Sequence, residues 1–212
     1  HCSALHPLGA GSPAFTALGL ERYGLRWGRA PYVVGHPLDP AGRDTALMAQ
    51  PIAETAELLG VDGEAWSSAF AGMSADFDTL APEILGPMLT IPGHPLALAD
   101  FIRRALLPTT VLTRRFQTER AKALFAGIAA HAYLRLDRPA SSAPGLMLLS
   151  AGHRHGWPAA EGGSSAIIDA LTAALTEAGG TVETGVEVTR REQFAGSDLV
   201  LMDVMPGAAA RI

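Results

Sequence analysis

The chain has 212 residues, 48% of them hydrophobic, with a formal net charge of −5 and a mean hydropathy of +0.20. That composition supports a sizeable core in one large or two small domains and excludes wholesale disorder. The charge is spread without long runs and leaves no basic face, which excludes a nucleic-acid partner. The single cysteine, Cys2, excludes a disulfide framework and a cysteine-based zinc site.

The chain begins at His1, carries no leader of secretory type, and has no apolar run of the ~20 residues a transmembrane helix needs. The expectation is a cytoplasmic chain, without a transmembrane segment, drawn from inside a longer reading frame.

Residues 9–14, Gly-Ala-Gly-Ser-Pro-Ala, spell G-x-G-x-x-A. Dinucleotide binding requires a strand before that turn, a useful helix after it, and an acidic residue at the end of a second strand. Here His6-Pro7 precedes the turn, Gly19 and Gly24 soon interrupt the helical stretch after it, and no such acid is placed. The motif is read as a decoy.

Residues 25–34 predict a strand region ended by Gly35-His36-Pro37, and residues 46–50 a second short strand. Ile52–Leu59 predicts a helix stopped by Gly60. Asp62 stands where it would cap the next helix, on which Ala65, Trp66, Ala69, Phe70 and Met73 recur with helical period. Between residues 80 and 112 apolar text is broken by Pro82, Pro87, Pro92, Pro95 and Pro108, predicting short kinked helices. Such a run is a proline-punctuated core or, alternatively, the wall of a pocket for something apolar.

Thr118 caps the clearest long helix, with Glu119 complementing the dipole in its first turn. Ala121, Leu124, Phe125, Ile128, Ala129 and Ala132 form its buried stripe, and His131 lies beside that stripe. Residues 137–145 read as a loop and as the candidate boundary between domains at 1–150 and 151–212. His153 and His155 form an H-x-H, expected on a surface loop. A metal site would need further ligands held by their own hydrogen bonds, and none is assigned. His6, His36 and His94 each precede a proline, a setting in which histidine usually bonds backbone.

Residues 156–188 interlock most fully. Gly162 and Gly163 lead into Ser164 and Ser165, either of which can cap a helix carrying Ile167, Ile168, Leu171, Ala174, Leu175 and Ala178. Gly179 and Gly180 stop that helix. Val182, Thr184, Val186 and Val188 then alternate with polar or small residues, the period of a strand. Residues 199–205 predict a strand buried on both faces, with Asp203 paired or at a solvated end. The fold class expected is α/β of mixed α+β character: a helix-rich domain with a small sheet, followed by part of an α/β domain.

The segments CSALHPLGAGSPAF, GHPLDPAG, ALFAGIAAH, GWPAAEGG and LVLMDVMP resemble, in the same order, motifs of bacterial phytoene-desaturase-like and amine-oxidase-like FAD-dependent oxidoreductases. The resemblance covers essentially the whole chain. It implies a substrate-binding-like domain over residues 1–150 and part of an FAD-binding domain over 151–212. Gly162 and Gly163 would open the helix of that domain, and the backbone of Val188 would touch the adenine of FAD. The chemistry implied is hydride transfer between an apolar small-molecule substrate and flavin, with His6 and His131 as candidate catalytic residues.

The family's opening strand, G-x-G-x-x-G turn and ribose-gripping acid would lie upstream of His1. This chain is therefore expected not to hold FAD and to be inactive by itself. The strands at 181–188 and 199–205 would belong to a sheet whose central members are missing, which predicts a homodimer through residues 181–205. The alternative is a non-catalytic domain binding an apolar ligand or a protein partner.

Overall fold

Helices dominate residues 4–87 and 91–212, the part of the chain that the structure, a computed structural model, describes. Cys2 lies outside those residues, as does the 88–90 stretch of the proline-broken run. The fold is mixed α/β and rich in helix, as expected. Two compact units divide it, His1–Ala174 and Leu175–Ile212.

In the first unit, α1 (Pro7–Ala10) and α2 (Pro13–Leu18) are too short to be anything but turns of helix, each opened by proline. Strand β1 (Trp27–Gly28) is followed by β2 (Tyr32–Pro37), which pairs antiparallel with β3 (Thr45–Ala49). Gly35-His36-Pro37 does not end the strand as expected but forms its second half, with His36 opposite Ala46 and Pro37 opposite Thr45. A two-stranded sheet is all edge, and an edge tolerates proline's missing N–H. His36 bonds backbone: its Nδ1 lies 3.0 Å from the carbonyl oxygen of Ala123.

Helices α3 (Ile52–Leu59) and α4 (Gly63–Ala75) follow, then α5 (Phe77–Leu85) with Pro82 inside it, α6 (Pro95–Ala105) and α7 (Thr109–Leu112). The short helices expected of the proline-broken run are present. Helix α8 (Glu119–Ala129) begins at Thr118, whose side chain accepts from the N–H of Ala121. Ala121, Leu124, Phe125, Ile128 and Ala129 are buried as predicted, whereas Ala132 lies beyond the helix and is only half-buried.

Asp62 departs from expectation. Its side chain makes no capping bond to α4. The carboxylate is wholly buried and accepts from the backbone N–H of Gln117 at 2.7 Å, the N–H of Thr118 at 2.8 Å and the Thr118 hydroxyl at 2.5 Å. Asp62 thus holds the entry to α8, a helix more than 50 residues downstream. Burial raises its pKa, but the bonds from Thr118 and Gln117 outweigh this and hold it below the ordinary carboxylate value.

Helix α9 (Ala143–His155) runs straight through residue 150, the expected end of the first domain. The loop expected at 137–145 gives way to helix at Ala143. Trp66 and Phe70 of α4, Leu124 and Phe125 of α8, and Leu146 and Leu149 of α9 are fully buried together. At Gly145 an added Cβ would stand 3.0 Å from the Cβ of Ala129, so the glycine lets α9 approach α8 closely. A smaller cluster joins Leu20, Leu25, Ala160, Ile167 and Ala170, drawing β4 (Ala159–Ala160) and the start of α10 (Ser165–Glu177) against the 20–25 turn. Strand β4 pairs antiparallel with β1.

In the second unit, Gly179 (φ +86°) and Gly180 end α10 as predicted, the N–H of Gly180 donating to the carbonyl of Leu175 at 2.9 Å. Neither 181–188 nor 199–205 forms a strand among the described residues. Alternation selects which face a strand would bury, but a strand exists only when a neighbour takes its N–H and C=O groups. Residues 199–205, expected to be buried on both faces, are exposed instead, Leu199 to 74% and Leu201 to 84%. Asp203 is exposed as well. Between the two segments, the Gln193 side chain accepts from the N–H groups of Thr189 and Arg190, fixing a polar turn. Helix α11 (Pro206–Ala209) closes the chain. No helix among the described residues is long and apolar enough to cross a membrane.

Candidate functional site

The first unit contains a cleft of about 690 Å³ between the α1–α2 segment, α5 and the last residue of α9. That volume is in the range that encloses a small organic ligand. Leu8, Pro13, Phe77, Ala81, Pro82 and Leu85 supply apolar walls, so part of the proline-broken run does line a pocket. Phe77 is buried, at 5% exposure, whereas Pro13, Pro82 and Leu85 are exposed.

Ser12 and Thr16 also line the cleft, and a charged group of residues stands beside them. His155 Nε2 lies 2.7 Å from Oδ1 of Asp78, and the Arg154 guanidinium donates to Oδ2 of the same carboxylate at 2.6 and 2.9 Å. Burial raises the Asp78 pKa, but the hydrogen bonds from Arg154 and His155 overcome it and keep the acid below its ordinary value. The Phe77 ring meets the imidazole edge-on, with centroids 5.9 Å apart. A Cβ on Gly11 would overlap the His155 ring, so the second glycine of the decoy motif serves close approach of an imidazole. Nothing about this use of Gly11 is visible in the spacing of the motif.

The histidines of the H-x-H are not on a surface loop. They occupy the last turn of α9, and two residues of helix turn their side chains in different directions. His153 is buried, accepts from the Trp66 indole N–H on Nε2 at 2.9 Å, and reaches the Gln50 carbonyl with Nδ1 at 2.8 Å. The end of the helix is capped from outside: Arg29 donates to the His155 carbonyl at 2.6 Å and Gln50 Nε2 to the Arg154 carbonyl at 3.2 Å. Gly156 (φ +78°) permits this, since a Cβ there would meet both Arg29 and Gln50 within 2.8 Å. Among the described residues no three His, Cys, Asp or Glu side chains gather as a metal site.

The residues singled out by sequence fall elsewhere. His6 precedes α1, its Nε2 hydrogen-bonds with Ser164 Oγ at 3.0 Å, and its ring lies 5.9 Å from that of Trp27. Ser164 Oγ also accepts from the N–H of Ala4. His131 is exposed after α8, with Nδ1 2.9 Å from the Ile128 carbonyl oxygen. Neither lines the cleft. Gly162 (φ +82°) and Gly163 (φ +103°) make the turn into α10, with open space above both Cα atoms. Val188, in the second unit, is 41% exposed and outside any strand. His155 was missed as a site residue because its partner, Asp78, stands 77 positions away.

The described residues do not by themselves fit FAD. The Gly9–Ala14 turn feeds a helix of six residues, and the strand that would present a pyrophosphate to it is replaced by His6-Pro7 and α1. Helix N-termini hold phosphates only where several N–H groups converge on them. Comparison with protein families, with curated proteins and with solved structures finds no match to this chain.

Proposed function

We propose that the first unit is the substrate-binding part of an FAD-dependent oxidoreductase of the phytoene-desaturase-like class, which takes an apolar small molecule. The observation that carries this reading is the largely apolar cleft against α5, which the Asp78–His155 pair also lines. Apolar walls desolvate a substrate and orient it, which is the protein's share of the work when a cofactor supplies the electrons. The second unit supports the same reading. Its 181–188 and 199–205 segments carry strand patterns without strand partners, as pieces of a sheet completed by other residues would.

Two measurements test it. The 212-residue chain, purified, is expected to bind a neutral apolar fluorophore and to show no flavin absorbance. The coding sequence upstream of His1 is expected to supply a strand followed by G-x-G-x-x-G, and the extended protein to purify yellow. A colourless extended protein whose upstream sequence lacks that turn would instead favour a non-catalytic domain that binds apolar ligands.

A further inference from the structure

A different cavity in the first unit, of about 510 Å³, is lined by Glu21, Arg22, Leu25, Arg26, Trp27 and Arg29. It shares no lining residue with the cleft, and its chemistry is the opposite: three guanidiniums and one carboxylate, an excess of two positive charges. Among the described residues none of these arginines pairs with an acid, whereas Arg104, Arg120 and Arg154 each do. Neutral groups hold them instead. Arg26 Nη1 donates to the carbonyls of Glu21 at 2.8 Å and Leu25 at 2.9 Å. Arg29 Nη1 donates to the His155 carbonyl at 2.6 Å and to Gln50 Oε1 at 3.3 Å. The Arg22 guanidinium lies 5.5 Å from the centroid of the Tyr23 ring. A carbonyl fixes a guanidinium in place without neutralising it. In the planar group the Nε–Nη2 edge lies opposite Nη1, so bonding Nη1 turns that edge away from the carbonyls. Its two N–H groups are the fork that takes an oxyanion side-on. On Arg26 and Arg29, both exposed, no acceptor among the described residues occupies it.

We propose that this cavity binds the phosphate monoester of a small aromatic or apolar molecule. The phosphate accepts from the free edges of Arg26 and Arg29, and the organic part lies against Trp27. A phosphate monoester has three terminal oxygens, enough for two forks, and its dianion matches the two positive charges in excess. A carboxylate has two oxygens, which one fork fills. An ammonium would meet one carboxylate and three like charges. The apolar part has somewhere to go: an adjoining cavity shares Glu21, Arg22, Leu25 and Trp27 and adds Phe15 and Leu20. The inference requires nothing of flavin and nothing of the cleft.

The test is titration calorimetry of the 212-residue chain with 1-naphthyl phosphate, 1-naphthoate, 1-naphthol and inorganic phosphate. The bonds to a charged acceptor are expected to make 1-naphthyl phosphate roughly tenfold tighter than any of the other three. Arg26→Gln is expected to weaken it by about the same factor and to leave 1-naphthol unchanged. Glu21→Gln, which removes the one negative charge, is expected to tighten it roughly threefold, a gain that a misfolded chain cannot give. 1-Naphthol binding as tightly as 1-naphthyl phosphate overturns the anion site. 1-Naphthoate matching it overturns the choice of phosphate, and inorganic phosphate matching it overturns the contact with Trp27. The comparison of ligands in the unaltered chain decides the matter even if Arg26→Gln fails to fold.

Discussion

The indole N–H of Trp66 donates to Nε2 of His153 across 2.9 Å in the centre of the helical core. Indole can only donate, so Nε2 is the acceptor and the imidazole proton sits on Nδ1, where it donates to the Gln50 carbonyl at 2.8 Å. Both ring nitrogens are satisfied in one tautomer, and only while the ring is neutral.

Burial accordingly pushes the His153 pKa down from 6.5 to about 4, against the opposing pull of the Gln50 carbonyl. Well above pH 6.5 the residue is neutral whether the chain is folded or not, and its contribution to stability is fully present. As pH falls from 6.5 to about 4 the unfolded chain takes up a proton that the folded chain refuses. The unfolded state binds more protons there, so stability falls with pH, by about 3 kcal/mol across the window, and this contribution levels off below it. Urea melts at half-unit pH intervals should show the loss. His153→Gln, which cannot titrate, should flatten it.

Trp66→Phe keeps an aromatic ring beside Phe70 and Phe116 but removes the donor to His153. The buried Nε2 would then stand unpaired, with a cost of about 1–3 kcal/mol, to which the smaller ring adds a void. Chemical denaturation should report the loss, and the nitrogen chemical shifts of His153 should move.

Asp62→Ala strips three hydrogen bonds from the entry of α8 and leaves two backbone N–H groups without their acceptor. The expected cost is about 3 kcal/mol, because bonds to a charged acceptor are stronger than neutral ones. Hydrogen exchange should speed up first at residues 117–121. If Asp62 only capped α4, exchange would rise around Gly63 instead.

Residues 181–205 expose Val182, Val186, Leu199, Leu201 and Val204 beside backbone that no strand covers. Strand-patterned segments of this kind can pair with one another between copies once they are extended side by side. The chain is expected to self-associate with rising concentration in sedimentation velocity, and Val186→Lys combined with Leu201→Lys to restore the monomer. A monomer at high concentration in the unaltered chain would count against it.

The sequence by itself determined the elements whose signals are local. Ile52–Leu59, the Thr118 cap with its stripe from Ala121 to Ala129, and the Gly179-Gly180 stop each depend on residues within a few positions of one another. Tertiary structure decided what side chains with more than one possible partner would do. Asp62 had a helix beside it and bonded instead to Thr118; His153 had the polarity of a loop residue and was drawn into the core because Trp66 and Gln50 satisfied both its nitrogens. Asp78 and His155 meet only because α5 and the end of α9 pack together. Residues 181–188 and 199–205 show the opposite case. Their pattern is that of strands, but strand partners are supplied by a fold and not by a pattern, and among the described residues no strand pairs with them.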